Sequence, residues 1–212
     1  IWAASTISTT PSVAWGDVDG DGDLDLAVGN YGASNQLYRN QGGILMLDTT
    51  WNPGVSATKS LAWGDVDNDG DLDLAVGNYG ALNQPYRNQL YLNEGGVLTL
   101  ADWNPAPQPT QSVAWGDVDG DGDLDLAVGN YGTPNQLYRN QGGQLTLDLA
   151  WKPEPQFTTS VAWGDVDGDG KLDLAVGNDG NAPNQLYRNQ GGQLTLDLAW
   201  NPEPQYTQSM AW

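Results

Sequence analysis

A nine-residue aspartate loop occurs four times in this chain of 212 residues, with nearly the same sequence each time. The pattern is Asp-x-Asp-x-Asp-Gly-x-x-Asp, and its copies span residues 17–25, 65–73, 117–125 and 165–173. The loops hold 19 of the 27 acidic residues, against 7 Lys and Arg in the whole chain. Like charges at this density destabilise a compact state unless cations lie among them. The loops therefore predict bound cations, and four divalent ions would bring the formal net charge from −20 to −12.

The loops belong to a longer internal repeat. Alignment on Ala-Trp-Gly-Asp gives spacings of 48, 52 and 48 residues, and a partial copy follows after a further 49. A local duplication at 83–93 accounts for the longer second repeat, and periods near 40 to 50 are typical of propeller blades and some solenoids. We predict one repeat domain over 1–212, made of the end of a preceding unit, four repeats and the start of a next unit. Their bounds are 1–11, 12–59, 60–111, 112–159, 160–208 and 209–212.

Within a repeat, apolar residues alternate with a period of two, as at Leu24, Leu26 and Val28, which is typical of β-strands. In the first repeat we predict strands at 12–15, 24–28, 35–40 and 44–48. The last two are joined by Gln-Gly-Gly, because glycine adopts the positive φ of a hairpin turn without steric cost. Gly, Asn and Pro interrupt every helical candidate. The chain is therefore predicted to be all-β, with about four short antiparallel strands per repeat.

The spacing of the aspartates suits a hard cation such as Ca²⁺, which takes six to eight oxygen ligands at roughly 2.3–2.6 Å. A glycine follows the third aspartate of every loop, where the chain must turn sharply. In the first loop the predicted side-chain ligands are Asp17, Asp19, Asp21 and Asp25. Asp23, at the seventh position, is predicted to bind through its backbone carbonyl, because the fourth loop has Lys171 there and an ammonium group does not coordinate a cation.

Three known aspartate loops have similar spacing but do not fit. An EF-hand has a bidentate Glu at its twelfth position, where the first loop has Val28. Acidic repeats of the thrombospondin type carry cysteines, which this chain lacks, and dockerin loops lead into helices. The sequence Asp-Val-Asp-Gly-Asp-Gly-Asp-Leu-Asp-Leu-Ala-Val-Gly-Asn, at 17–30 and 117–130, resembles the FG-GAP and VCBS repeats of integrin-α-like β-propellers. The resemblance covers all four repeats.

This resemblance implies a propeller-type repeat array of four four-stranded antiparallel blades, with a Ca²⁺-binding loop between the first and second strands of each. It implies about four Ca²⁺ ions, one per repeat. The implied side-chain ligands are Asp17, Asp19, Asp21, Asp25, Asp65, Asp67, Asp69, Asp73, Asp117, Asp119, Asp121, Asp125, Asp165, Asp167, Asp169 and Asp173. The implied backbone-carbonyl ligands are Asp23, Asp71, Asp123 and Lys171. Integrin-like propellers have seven blades, so a closed ring, an open array and a ring or fibre completed by further copies all remain open.

The composition argues against several kinds of site and partner. The chain has neither Cys nor His, which excludes disulfides and the usual zinc sites. Its acidic surface makes nucleic acid and anionic membranes poor partners. No stretch approaches the roughly 20 apolar residues that span a bilayer, so membrane insertion is not predicted. An enzyme is not predicted either, because the repeats are too alike for one place to carry a distinct catalytic constellation.

Two sets of four tryptophans recur once per repeat. The set before the loops is predicted to pack between blades and consists of Trp15, Trp63, Trp115 and Trp163. The set at the Trp-Asn-Pro and Trp-Lys-Pro connections is a candidate for exposed glycan contacts and consists of Trp51, Trp103, Trp151 and Trp200. The Arg of Asn-Gln-Leu-Tyr-Arg-Asn, at 35–40, 135–140 and 184–189, is predicted to form a blade-to-blade hydrogen bond or an ion pair with an acidic loop. Recognition of a carboxylate or sugar is the alternative.

Calcium sites in extracellular modules have affinities of order 10⁻⁴ to 10⁻³ M and fill where calcium is millimolar. We therefore expect an extracellular or cell-surface protein in which calcium is structural rather than regulatory. The expected function is structural or adhesive, in a filament or larger array, with further copies of the chain or an extracellular glycan or protein as partner. The alternatives are a glycan-binding propeller lectin and, third, a metal-dependent enzyme.

Overall fold

In the computed structural model, which describes residues 9–80, 86–180 and 182–211, every regular element is a β-strand. These residues divide into two compact units of eight strands each. The first contains β1 (Thr9–Gly16), β2 (Asp25–Ser34), β3 (Gln36–Gln41), β4 (Ile44–Leu47), β5 (Val55–Gly64), β6 (Asp73–Asn78), β7 (Gln89–Glu94) and β8 (Val97–Leu100). The second contains β9 (Thr110–Gly116), β10 (Asp125–Thr133), β11 (Gln136–Gln141), β12 (Gln144–Leu147), β13 (Gln156–Gly164), β14 (Asp173–Asn178), β15 (Gln185–Gln190) and β16 (Gln193–Leu196).

Each unit consists of two blades, and each blade is an antiparallel run of four strands. β1 pairs with β2, β2 with β3 and β3 with β4, and β5 to β8 follow the same order. The end of β2 also pairs with the start of β5, where Tyr31 lies opposite Ala57, so both blades share one continuous sheet. In the second unit Tyr131 lies opposite Phe157 in the same way. The predicted all-β fold with four-stranded blades is confirmed.

Some sequence predictions fall on residues that the structure does not describe. They are the first eight residues of the predicted N-terminal fragment, residues 83–85 of the local duplication, and Trp212 in the partial repeat at the other end. Among the described residues, none belongs to a helix that is long and apolar enough to cross a membrane.

The second strand of each blade is buried on both faces. Residues 25–30 of β2 are all buried, and the equivalent buried runs are 73–78, 125–130 and 173–178. The predicted alternation is wrong at Leu24, which lies outside β2 and is 53 % exposed. Leu26 and Val28 form one apolar cluster, whereas Ala27, on the other face, packs with side chains of the next blade. Burial on two faces removes the simple polar and apolar alternation.

The tryptophan of the first strand joins neighbouring blades within each unit. The indole Nε1 of Trp63 donates a hydrogen bond to the Ala14 carbonyl at 3.2 Å, and that of Trp163 to the Ala114 carbonyl at 3.1 Å. Packing between blades is thus confirmed for these two tryptophans. The prediction is wrong at Trp15, which is 53 % exposed, because the described residues contain no strand before β1 against which it could pack.

Candidate metal centres

Each aspartate loop connects the first strand of a blade to the second. The valine after the first aspartate is buried in three loops, at Val18, Val66 and Val118, and fastens the loop to the core. The glycine after the third aspartate turns the chain, and Gly22 has a φ of 92°, which side-chain-bearing L-residues rarely adopt. Between these two fixed points the aspartate side chains converge.

Three carboxylates in each loop offer one oxygen apiece, and these oxygens lie within 4.8 Å of one another. Two oxygens bound to one Ca²⁺ at 2.3–2.6 Å lie at most about 5 Å apart, so this spacing suits a shared ion. The four clusters are Asp17, Asp19 and Asp21; Asp65, Asp67 and Asp73; Asp117, Asp119 and Asp125; and Asp165, Asp167 and Asp173. The other predicted side-chain ligands lie outside these clusters and are Asp25, Asp69, Asp121 and Asp169.

The first aspartate of each loop organises the turn. Asp17 accepts the N–H groups of Asp21 at 3.1 Å and Gly22 at 3.0 Å through its two oxygens. In the other three loops, the hydrogen bonds from the equivalent glycine N–H to the first aspartate measure 3.0, 3.0 and 2.8 Å. Burial, then the nearby Asp25 and Asp21 charges, raise the pKa of Asp19, although the Arg39 guanidinium opposes this shift. Crowded carboxylates of this kind favour binding of a cation.

The last aspartate of each loop is buried at the start of the second strand. Oδ1 of Asp25 accepts the N–H of Asn40 at 2.7 Å, and Oδ2 accepts the N–H of Val18 at 3.2 Å. Asp125 accepts the equivalent pair of bonds. Burial raises the pKa of Asp125, with the two N–H bonds and the Arg139 charge acting in the opposite direction. This aspartate therefore ties the loop to the blade.

The seventh loop position has a role that the sequence did not reveal. Oδ2 of Asp23 accepts the N–H of Gly42 at 3.0 Å, and the equivalent bonds of the second and third repeats measure 2.7 and 2.8 Å. This side chain thus holds the hairpin turn between the third and fourth strands. In the fourth loop, Lys171 instead contacts Asp169 at 2.6 Å. Coordination through the backbone carbonyl of the seventh residue stays a prediction.

A guanidinium links the first loop to its own blade and to the next one. Nη1 of Arg39 lies 3.3 Å from Asp25 and 3.8 Å from Asp19, and Nε lies 3.3 Å from Asp48. Nη2 donates a hydrogen bond to the carbonyl of Gly96, in the hairpin of the next blade. The predicted ion pair with an acidic loop and the predicted blade-to-blade hydrogen bond are therefore both present.

Arg139 and Arg188 make equivalent ion pairs in the third and fourth repeats. They lie 3.4–3.5 Å from the loop carboxylates, and their Nε atoms lie 3.1 and 2.9 Å from the aspartate after the fourth strand. In the second repeat, the strand position that corresponds to Arg39 is occupied by Leu92. The position that corresponds to Asp48, just after the fourth strand, is occupied by Ala101. The second repeat has therefore exchanged the whole ion pair for two apolar residues.

The pKa of each aspartate that follows a fourth strand and pairs with one of these arginines is lowered. Burial raises the pKa of Asp48, but hydrogen bonds from Thr50 and Arg39 outweigh it and the net pKa is lowered. In the third repeat, burial likewise opposes the hydrogen bonds from Ala150 and Arg139, and the pKa of Asp148 is lowered. These carboxyls therefore stay ionised to a lower pH than an unperturbed aspartate does.

The asparagine that ends each Gln-Leu-Tyr-Arg-Asn or Gln-Leu-Tyr-Leu-Asn segment was not predicted from the sequence to have a role. Nδ2 of Asn93 donates to the Val18 carbonyl of the preceding blade's loop at 2.8 Å and to the Leu72 carbonyl at 3.1 Å. Asn189 makes the equivalent bond to the Val118 carbonyl at 2.6 Å. Each of these asparagines fastens the loop of the preceding blade. The only signal in the sequence was the recurrence of the residue in every repeat.

The tryptophans of the connections are less exposed than predicted. Trp51 and Trp151 are half-buried and pack edge-on against Tyr91 and Tyr187, with ring centroids 5.4 Å apart in both pairs. Their Nε1 atoms are buried, with no hydrogen-bond partner among the described residues. Only Trp200, which is 40 % exposed, meets the expectation of an exposed ring.

Open cavities adjoin three of these connections. Trp103 lines one of about 260 Å³ together with Arg87 and Asn104, and Trp200 lines another of about 260 Å³ together with Asn184. Trp151 borders a third, of about 390 Å³. The aromatic rings thus lie beside polar side chains in solvent-accessible hollows.

Tandem four-stranded antiparallel blades, each with an acidic loop between its first two strands, define a β-propeller-type repeat protein. The FG-GAP-like repeat family matches residues 17–76, 79–128 and 117–176, and the FG-GAP repeat family matches residues 157–196. The chain therefore belongs to the FG-GAP repeat family, and the resemblance seen in the sequence is confirmed.

Solved structures agree on the fold. A crystal structure of BBS1N in complex with ARL6DN, soaked with lead, is similar with a TM-score of 0.57 and 13 % identity, covering 90 % of this chain and 56 % of that one. The same complex soaked with mercury gives a TM-score of 0.56 and 14 % identity, covering 89 % and 53 %. This chain thus spans about half the length of those chains, and the likeness concerns the fold alone. Comparison with curated proteins gives no match.

Proposed function

We propose that this chain is a calcium-stabilised extracellular repeat protein with a structural or adhesive role. The observation that carries the proposal is the recurrence of three convergent carboxylate oxygens, within 4.8 Å of one another, in each of four loops. Carboxylate oxygens are hard ligands, and this donor set fits Ca²⁺ better than a softer metal. FG-GAP repeats commonly bind calcium, which supports the same assignment.

The predicted ligands keep their roles in this proposal. In each loop the first, third, fifth and ninth residues would supply carboxylates, and the seventh its backbone carbonyl. When bound, the ion would neutralise crowded negative charge and hold the loop between the two strands. Short, glycine-rich strands bury little apolar surface of their own, so this link would add stability that the core does not supply.

The extracellular location rests on affinity and on the family. Sites of this kind bind with dissociation constants of order 10⁻⁴ to 10⁻³ M in extracellular modules, and they fill where calcium is millimolar. FG-GAP repeats are typical of extracellular proteins, which supports the same location. We propose that the chain acts at the cell surface or beyond it.

The proposed partners are further copies of this chain or an extracellular glycan or protein. Nearly identical repeats offer the same surfaces many times over, and a contact between unlike surfaces that does not close on itself generates a filament. Electron microscopy in millimolar calcium tests this part of the proposal. Filaments or larger arrays are expected, whereas discrete particles at every concentration would count against self-assembly.

Thermal unfolding tests the calcium assignment. Melting is followed by tryptophan fluorescence in millimolar calcium, in excess chelator, and in chelator with magnesium restored as the control. We expect the midpoint to fall in chelator and to return with calcium but not with magnesium, which demands a stricter geometry. A melting curve unchanged by excess chelator would refute the assignment.

A glycan-binding propeller lectin is the second candidate, and the cavities beside Trp103, Trp151 and Trp200 favour it. An indole face beside polar side chains can stack on a sugar ring while the polar groups bond its hydroxyls. Saturable glycan binding should then be lost when Trp51 and these three tryptophans are replaced together. No binding across a broad glycan panel would exclude this function.

A metal-dependent enzyme is the third candidate function. We propose no catalytic role for the residues of the loops. Acid and base catalysis needs titratable groups whose environments separate their pKa values. The four loops instead present nearly the same carboxylates in nearly the same positions. FG-GAP repeats on a propeller fold are typically non-enzymatic, which points the same way.

A further inference from the structure

A lysine of the first unit lies against two tyrosine rings. Nζ of Lys59 is 4.6 Å from the ring centroid of Tyr31 and 6.0 Å from that of Tyr79. An ammonium group within about 6 Å of an aromatic ring centroid is attracted by the electrons of the ring face. The first unit therefore contains a lysine site that is built from aromatic rings and filled from within the chain.

The corresponding place in the second unit lacks this lysine. Strands β5 and β13 pair in the same register with β6 and β14, so Thr159 stands where β5 has Lys59. The Thr159 hydroxyl lies within hydrogen-bond distance of the carbonyls of Gly177, at 3.1 Å, and Thr207, at 2.5 Å. Because this short side chain carries no charge, it brings no ammonium group to the rings of the second unit.

Two aromatic rings are present at this place in the second unit. Tyr131 lies opposite Phe157 across the strand pair, as Tyr31 lies opposite Ala57 in the first unit. The ring centroids of Tyr131 and Phe157 are 4.9 Å apart, and their planes are inclined by 50°. Both residues line an open cavity of about 500 Å³, and Phe157 is 49 % exposed. This volume lies within the range of ligand pockets, which is about 300–1,000 Å³.

A carboxylate lies beside this cavity. The N–H of Asp179 donates to the Phe157 carbonyl at 2.8 Å, as the N–H of Tyr79 donates to the Ala57 carbonyl in the first unit. Asp179 thus stands at the position of Tyr79. Its Oδ1 atom accepts the N–H of Gly180 at 2.7 Å, and Gly180 lines the cavity. The second unit therefore has a negative charge where the first unit has a second tyrosine ring.

We propose that the cavity beside Tyr131 and Phe157 binds the ammonium group of a lysine side chain from a partner protein. The two rings attract the cation through their faces, and Asp179 supplies the opposite charge. The contact of Lys59 with two tyrosines shows that a lysine fits such rings in this fold. The formal net charge of −20 also favours the approach of a cationic partner.

This site is separate from the aspartate loops. Asp125 begins strand β10 and Tyr131 lies near its other end, which places them about 20 Å apart along an extended strand. The inference therefore does not depend on the proposed calcium binding, and a failure of one leaves the other standing.

Nuclear magnetic resonance titration of the full chain, in saturating calcium, tests the site with Nα-acetyl-lysine amide as the probe. We expect saturable shifts of the amide signals of Phe157 and Gly180. Nα-acetyl-norleucine amide is the matched control, because it has the same carbon chain without the ammonium group, and it should cause no shifts. Choline carries a positive charge that does not come from a protein side chain. Tighter binding of choline than of the lysine probe would overturn the assignment to lysine.

Variants of the second unit test the role of each group. Thr159→Lys should supply the ammonium group from within the chain, as Lys59 does in the first unit, and should abolish binding of the probe. Thr159→Val keeps the shape of the side chain without adding a charge and should leave binding unchanged. Asp179→Asn and Phe157→Ala should each weaken binding by about two- to fivefold.

Urea unfolding of each variant separates a loss of binding from a loss of folding. The absence of saturable shifts with the lysine probe, or equal binding of the norleucine probe, would overturn the inference. Undiminished binding in both Asp179→Asn and Phe157→Ala would also overturn it, because neither the charge nor the ring would then contribute.

Discussion

The asparagine that reaches across to the loop of the preceding blade should be a major source of stability. Asn93 is buried, and its side chain donates to the Val18 and Leu72 carbonyls and accepts the N–H of Gly96 at 2.9 Å. Asn93→Ala leaves three backbone groups without these partners, and the bond to the Val18 carbonyl is buried whereas the other two bonds are part-buried. At about 1–1.5 kcal/mol for each bond, the variant should lose about 3–4 kcal/mol of unfolding free energy.

The first blade offers a matched control. Asn40 makes the bonds within its own blade, to the Leu24 carbonyl at 3.1 Å and from the N–H of Gly43 at 2.9 Å, and both are exposed. Water can replace exposed bonds, so Asn40→Ala should cost about 1–2 kcal/mol. The difference in unfolding free energy between the two variants measures what the hydrogen bond between blades contributes, including the effect of its burial.

Urea unfolding followed by tryptophan fluorescence, in saturating calcium, measures both variants against the wild type. A thermal melt should show the same order, with about 2–4 °C of midpoint shift for each kcal/mol in a chain of this size. Asn189→Ala repeats the experiment in the second unit, because Asn189 bonds the Val118 carbonyl at 2.6 Å. If Asn93→Ala and Asn40→Ala lower the stability equally, the bond between blades contributes nothing and the reasoning is wrong.

Three further outcomes follow from the described contacts. Under the proposed calcium binding, Asp21→Ala should weaken one site and leave the other three, so calorimetry should show one site of lower affinity. Trp163→Phe keeps an aromatic ring but loses the indole N–H bond to the Ala114 carbonyl at 3.1 Å and part of the packed volume, which together should cost at least about 1 kcal/mol in urea unfolding. The lowered pKa of Asp148 stabilises the fold above its unfolded value of 3.8, and this contribution disappears as the pH falls through the folded pKa. Asp148→Asn should therefore flatten acid unfolding, and an unchanged acid limb would contradict the ion pair with Arg139.

Much of the fold could be read from local pattern. The strands were predicted because alternating apolar residues and glycine turns act over a few neighbouring positions, and β1, β3 and β4 overlap the predicted segments. The acidic loops were predicted for the same reason, since their aspartates lie within nine consecutive residues. The contact of Arg39 with the acidic loop was also anticipated, because oppositely charged groups recur together in the repeat.

The misplaced predictions have two causes. Leu24 alternates with Leu26 and Val28 in the sequence, yet it is exposed because it lies in the loop before β2. The other cause is packing against a neighbouring blade. Trp63 is packed and Trp15 is exposed although their local sequences agree, since Trp63 has β1 beside it. The pattern of residues within one repeat does not specify which of its surfaces another repeat covers.

The sequence by itself determined the repeat, the strand order within a blade and the position of the acidic loops, because each depends on residues close together in the chain. Tertiary structure decided which carboxylates converge, that the side chain of Asp23 holds a hairpin, and that Asn93 reaches the Val18 carbonyl. These contacts join residues up to 75 positions apart. Their geometry follows from how one blade packs on the next, which chain-local preferences do not specify.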